Sequence, residues 1–253
     1  MTTPILELSG VTKLFGGVIA VRGVDMSVLP GSITAVIGPN GAGKTSLFNV
    51  VTGFEEPTEG SVLFQGEEVT GLEPWRVAQR GLIRTFQTPT GFPALSVWEN
   101  LMVGGTEHRL ESLWGALRGV WRSGETTTNE RARQVLTDLG LWERRDTLLA
   151  DLPPGDVKLV DFARQLMARP LMVLLDEPAS GVDSGSIERL GNLIRRIREQ
   201  GVTVLVIDHN IGFVLGIADE VHVMSLGQVI ASGPPDEVVR DPEVIEIYLG
   251  RSA

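Results

Sequence analysis

Ala35-Val36-Ile37-Gly38-Pro39-Asn40-Gly41-Ala42-Gly43-Lys44-Thr45-Ser46 decides how the rest of the chain reads. Ile33 to Ile37 is an apolar run suited to a buried strand. It breaks at Gly38, and a helical pattern begins near Gly43 with Leu47, Val50 and Val51 on its apolar side. Strand, glycine-rich turn and helix, in that order, is the setting the pattern G-x-x-x-x-G-K-[ST] requires. The glycines let successive backbone N–H groups turn toward an anion, and the helix adds its positive dipole end. Lys44 is placed to reach the β- and γ-phosphates of a nucleotide, and the Thr45 hydroxyl to ligate Mg²⁺. A nucleotide with Mg²⁺ is the expected ligand of Gly38 to Ser46.

Downstream, two more apolar runs end in polar groups. Leu171-Met172-Val173-Leu174-Leu175 leads into Asp176-Glu177, and Val202-Thr203-Val204-Leu205-Val206-Ile207 into Asp208-His209. The carboxyl ends of core strands are where open α/β sheets bind ligands. A carboxylate there can hold Mg²⁺ through its water shell, and a neighbouring one can polarise the attacking water. Asp176 is therefore assigned to the metal and Glu177 to general-base catalysis, with His209 near a γ-phosphate. Gln87 ends a strand from Gly81 to Phe86 in the same way and is a candidate for Mg²⁺ or water.

The bulk numbers limit what else the chain can be. Its 253 residues fit one large domain or a domain with a sizeable insertion, and 42% apolar content supplies a core. Net charge is 22 − 32 = −10, which argues against a broad nucleic-acid surface. With no Cys there is no disulfide or thiolate–metal site, as suits a reducing cytosol. His108, His209 and His222 are too scattered for a metal cluster. No signal peptide is visible after Met1, and no run of eighteen apolar residues occurs, so a membrane role needs a partner. No Asn-Lys-x-Asp motif for guanine occurs either.

Alternating apolar positions before residue 30 read as short antiparallel strands. From Ser96 to Ala168 the pattern turns mainly helical and holds Trp98, Trp114, Trp121 and Trp142; helix–strand alternation then resumes. The fold class expected is α/β: a P-loop NTPase core of mixed sheet and flanking helices, with an N-terminal antiparallel β subdomain. The core and β subdomain comprise residues 1–87 and 171–253, interrupted by an inserted helical subdomain at 88–170.

With these stretches in place the whole chain resembles the ATP-binding subunits of ABC transporters. Gly38 to Thr45 is similar to the Walker A loop, Gln87 to the Q-loop, Leu171 to Glu177 to the Walker B strand, Ser180-Gly181-Val182-Asp183 to the D-loop, and His209 to the switch histidine. Phe15 resembles the aromatic that stacks on adenine; a packed strand aromatic is the alternative. Arg84-Thr85-Phe86-Gln87, Leu95 to Leu101 and Asp241 to Gly250 resemble the branch that imports branched-chain amino acids, and importers of related small solutes share them. The resemblance implies an ATPase on the cytoplasmic inner face of the membrane. It works with transmembrane permease subunits, a second ATPase subunit and, indirectly, a solute-binding protein, and with no nucleic acid. An exporter, a non-transport ABC ATPase and a regulatory nucleotide-binding subunit remain alternatives.

One motif departs from the family. Where a Leu-Ser-Gly-Gly-Gln signature opens a helix and acts on the partner's nucleotide, this chain has Leu152-Pro153-Pro154-Gly155-Asp156. Pro153 lacks the serine hydroxyl, Pro154 lacks an N–H, and Asp156 is expected to bring an anion toward a polyanion. That repulsion is about 4 kcal/mol per charge pair at 4 Å and an effective dielectric of about 20. The expectation is a heterodimer with an intact-signature partner, in which one site is impaired. Leu110, Leu113, Trp114, Leu117 and Trp121 share a helical face that serves the subdomain core, the grip on a membrane subunit, or lipid contact.

Overall fold

A computed structural model describes residues 3–85, 91–105 and 121–249, the side chains of 121–127 and 248–249 excepted. Gln87 and the apolar face from Leu110 to Trp121 lie outside the described residues and side chains. In chain order the described strands are β1 (Leu6–Phe15), β2 (Val18–Val28), β3 (Ile33–Ile37), β4 (Glu59–Phe64), β5 (Glu67–Glu68), β6 (Leu82–Arg84), β7 (Met172–Asp176), β8 (Thr203–Ile207), β9 (Glu220–Ser225) and β10 (Gln228–Gly233). The described α-helices are α1 (Lys44–Val51), α2 (Pro74–Gln79), α3 (Val97–Gly104), α4 (Trp121–Asp138), α5 (Pro154–Leu166), α6 (Ser184–Glu199), α7 (Ile211–Ile217), α8 (Pro235–Val238) and α9 (Pro242–Leu249).

Two compact units result. The first comprises Met1–Arg84, Leu171–Ser180 and Ile194–Ala253. It contains an antiparallel sheet of order β2-β1-β4-β5 and a mixed sheet of order β10-β9-β3-β8-β7-β6. β3, β7 and β8 are buried at every position, as strands covered on both faces must be, which is why they read as unbroken apolar runs. Val36, Leu174, Leu205 and Ile207 share one core with Leu47, Phe48, Val50 and Val51 of α1 and with Leu6, Leu8 and Phe64 of the antiparallel sheet. The register then fixes an edge. Val36 lies beside Ile207, and Ile207 beside Asp176, so these three parallel strands finish in line.

Two details differ from the sequence reading. The strands before residue 30 are long, ten and eleven residues, with register shifts that absorb their irregular alternation. β10, which closes the mixed sheet antiparallel to β9, has no apolar run because it is half-buried at most.

The second unit comprises Thr85–Pro170 and Gly181–Leu193. α3 starts with a capping box: the Ser96 hydroxyl accepts from the Glu99 N–H, and the Glu99 carboxylate accepts from the Ser96 N–H. Val97, Leu101, Leu136, Leu139, Leu159 and Phe162 are buried. The Arg131 guanidinium donates to the Leu166 carbonyl at 2.7 and 3.0 Å, tying α4 to the end of α5. Trp98 and Trp142 meet edge to face at 6.1 Å.

Candidate nucleotide site

The phosphate loop is shaped by close backbone approach. A Cβ at Gly38 would sit 2.2 Å from the Met224 carbonyl oxygen, and one at Gly43 2.2 Å from that of Ala20. Only glycine fits either place, and Gly43, at φ 98°, caps α1. The loop is also tied to its surroundings: the Gly227 N–H donates to Ala42 O, and the Arg22 N–H to Gly227 O. Pro39, Asn40 and Gly41 form its exposed crest, Ala42 is buried beneath, and Thr45 is exposed at the first turn of α1 beside a half-buried Ser46.

Lys44 is folded back over the loop. Its ammonium donates to the Gly38 carbonyl at 2.7 Å and the Pro39 carbonyl at 3.0 Å. Burial pushes its pKa below the ordinary lysine value, and Glu177 and Asp176 pull it partly back up. Ammonium and carboxylates thus feel one another across the carboxyl edge of the sheet. Asp176 ends β7 with its side chain buried, and its Oδ2 accepts from Arg84 Nη2 at 2.6 Å.

Glu177 follows with φ 48°, a left-handed conformation uncommon for a non-glycine residue, and its N–H donates to Ile207 O at 2.8 Å. Its carboxylate lies 3.8 Å from His209 Nδ1, and the imidazole is more than half exposed. Ser180 closes this turn, its N–H donating to Glu177 O. Glu177 and His209 can therefore act on the same small volume in front of the loop. Among the described residues no three carboxylate or imidazole groups form a cage for a metal. The Thr45 hydroxyl and the Asp176 carboxylate are oxygen groups that could hold a largely hydrated Mg²⁺.

Sequence reading passed over two organising residues. Asp208 is fully buried, and it accepts from the Ala179 N–H and the Asn210 N–H, both at 2.8 Å, joining the turn after Glu177 to the segment that carries His209. Its signal was an acid ending an apolar strand, overshadowed by the histidine beside it. Arg84 was noticed only as part of a family stretch.

A family profile described as "ABC transporter" matches residues 21–180. The chain belongs to the ABC transporter family. It is a nucleotide-binding ATPase subunit of that family. A second profile, "Branched-chain amino acid ATP-binding cassette transporter", matches residues 228–253. The chain is 38% identical to the high-affinity branched-chain amino acid transport ATP-binding protein BraF of Pseudomonas aeruginosa, covering 100% of both chains. It is 34% identical to LivG of Escherichia coli K12, a protein of the same description, again over 100% of both. A solved ATP-binding cassette of an ABC transporter in its ADP conformation superposes with a TM-score of 0.84 at 38% identity, covering 98% of this chain and 100% of the other. A nucleotide-free cassette gives 0.83 at 37% identity over the same shares.

The other residues expected from the resemblance lie as follows. Phe15 is 41% exposed at the end of β1, with the Lys13 ammonium 4.9 Å from its ring centroid, so it is not a core aromatic. In the second unit, Asp183 caps α6 by accepting from the Ser186 N–H at 3.0 Å, and its bonds from Ser186 lower its pKa.

The signature head opens α5 with Leu152 buried, Pro153 at the cap and Pro154 at the first helical position, where a missing N–H costs nothing because it would be unpaired anyway. A Cβ on Gly155 would come within 2.9 Å of Asp183 Oδ2 and Ser186 Oγ.

The expected repulsion from Asp156 is corrected by the structure. Its carboxylate is buried and clamped by two arginines, Oδ2 by Arg144 Nη1 at 2.6 Å and Oδ1 by Arg189 Nη2 at 2.7 Å. The charge is spent inside the helical unit.

Proposed function

We propose that this ABC ATPase drives an importer of branched-chain or related hydrophobic amino acids, or a related small solute, from the cytoplasmic face of the membrane. The printed descriptions of BraF and LivG, and the branch-specific profile at 228–253, support the solute class. No described helix is long and apolar enough to cross a membrane, so the solute path belongs to transmembrane permease subunits.

In this reading, Gly38 to Ser46 cradles the triphosphate with backbone N–H groups, and Lys44 leaves its two carbonyl partners for the β- and γ-phosphate oxygens. Phe15 stacks on adenine. Thr45 and Asp176, with Gln87, hold the Mg²⁺ that accompanies the nucleotide and screens its charge. Glu177 accepts the proton of the attacking water, and His209 orients the Glu177 carboxylate and the γ-phosphate. Ser180 and Asp183 serve the dimer interface. The segment 88–170 is the helical insert that passes closure and opening to the permease.

The observation that carries the chemistry is the shared edge where Lys44, Asp176, Glu177 and His209 converge. Glu177→Gln should abolish turnover while ATP binding persists, because the amide keeps the shape and loses the base. Full turnover in that variant would remove Glu177 from its role.

The signature remains weakened in this proposal, by the missing hydroxyl and not by charge. The chain pairs with a second ATPase subunit whose intact signature completes the site on Lys44 and Glu177. ATPase rates of the chain alone and with its co-purified partner test this: fast turnover by the isolated chain would refute the pairing.

A further inference from the structure

Arg84 sits where three elements of the site meet. It is the last residue of β6, and its register partner is Leu174, two residues before Asp176. Side chains two apart on a strand share a face, so Arg84, Leu174 and Asp176 all point toward α1. The guanidinium is buried. Nη2 donates to Asp176 Oδ2 at 2.6 Å; Nη1 donates to Asn49 Oδ1 at 2.6 Å and lies 3.4 Å from Thr52 Oγ1. Its carbon stands 5.9 Å from the Phe48 ring centroid and 5.8 Å from that of Phe54. Asn49 and Thr52 follow Lys44 and Thr45 along the same helix and its cap.

This geometry has a chemical consequence. A carboxylate held through one oxygen by a permanently charged guanidinium has that oxygen pinned, which leaves its other oxygen for the nucleotide side. The same fork grips α1, the helix whose first turn carries Lys44 and Thr45. Within the spacing that the sheet register sets, Arg84, braced on two rings, ties Asp176 directly to α1. A lysine would carry the charge, but it lacks the fork needed to span both anchors.

We propose that Arg84 is a positioning residue for Asp176: it orients the carboxylate toward the Mg²⁺ of the bound nucleotide and holds it at a fixed distance from the first turn of α1. The proposal rests on the reading of Asp176 as the metal-side carboxylate. Outer-shell partners of metal ligands commonly govern 10–100-fold in metal affinity.

The test is a Mg²⁺ titration of fluorescent ATP-analogue binding to the full chain, with binding in EDTA as the metal-free reference. Arg84→Gln should raise the half-saturating Mg²⁺ about tenfold and leave the EDTA affinity within about twofold of wild type. Arg84→Lys should not restore it. Asn49→Ala, which removes one anchor and keeps the ion pair, should shift it in the same direction by less than Arg84→Gln does. Asp176→Asn is the separate control on the underlying reading: unchanged Mg²⁺ dependence there refutes the metal assignment itself. If Asp176→Asn shifts the titration and Arg84→Gln does not, Arg84 has no positioning role. Rescue by Arg84→Lys would reduce it to a counter-charge, and tighter Mg²⁺ binding in Arg84→Gln would make it a competitor; each overturns the proposal. Should Arg84→Gln not fold, Asn49→Ala decides, with an unshifted titration counting against.

Discussion

Substitution of Asp156 separates two accounts of the altered signature. Its side chain is 5% exposed, and the side chains that clamp it are 51% exposed at Arg144 and 36% at Arg189. Breaking a fully buried pair costs about 3–5 kcal/mol, whereas exposed pairs are worth about 0.2–1 kcal/mol. Water reaches the arginine ends, so each pair here is discounted to about 1–2 kcal/mol. The place of Asp156 in the first turn of α5 adds about 0.3–1 kcal/mol through the helix dipole. Asp156→Asn should therefore destabilise the protein by about 2–5 kcal/mol, more than Arg144→Ala. A double-mutant cycle of Asp156→Asn with Arg189→Ala should give a coupling of about 1–2 kcal/mol. Urea unfolding followed by tryptophan fluorescence reads both. A coupling below about 0.3 kcal/mol, the usual additivity error, or a stabilised Asp156→Asn, would show the clamp to be idle. The functional counterpart follows from the same geometry. Asp156→Gln should not speed hydrolysis in the assembled pair, because no charge faces the nucleotide, whereas Pro153→Ser should.

Other expectations follow from single contacts. Gly43→Ala would place a methyl 2.2 Å from Ala20 O in a left-handed backbone; thermal melts should show a loss of at least about 1–3 kcal/mol, and ATP binding should fail with it. Ser96→Ala removes half of the α3 capping box and should cost about 1 kcal/mol in urea unfolding. His222 is buried in β9, with Nδ1 2.7 Å from Ser232 Oγ and Nε2 without a hydrogen bond. Burial lowers its pKa, against a smaller opposing pull from Glu220. Its neutral form is native, so its contribution is complete above the ordinary value of 6.5 and is lost as pH falls from there through the lowered folded value. His222→Gln should flatten the stability–pH curve in that window; an unchanged slope would show that His222 does not cause it.

The sequence by itself determined the phosphate loop, the buried parallel strands and the acids at the end of β7. These are local signals: a strand, a turn and a helix in tandem need no knowledge of distant partners, and strands covered on both faces must be apolar at every position. It also supplied the helical character of the insert and the altered signature head. Tertiary structure alone decided which charges meet. Arg84 finds Asp176 across 92 residues, Arg189 finds Asp156 across 33, and Asp208 finds the Ala179 N–H across 29. A residue's charge is written in the sequence, but what that charge does depends on its neighbours and on water. Asp156, an anion expected to face a phosphate, is turned inward and paired with Arg144 and Arg189.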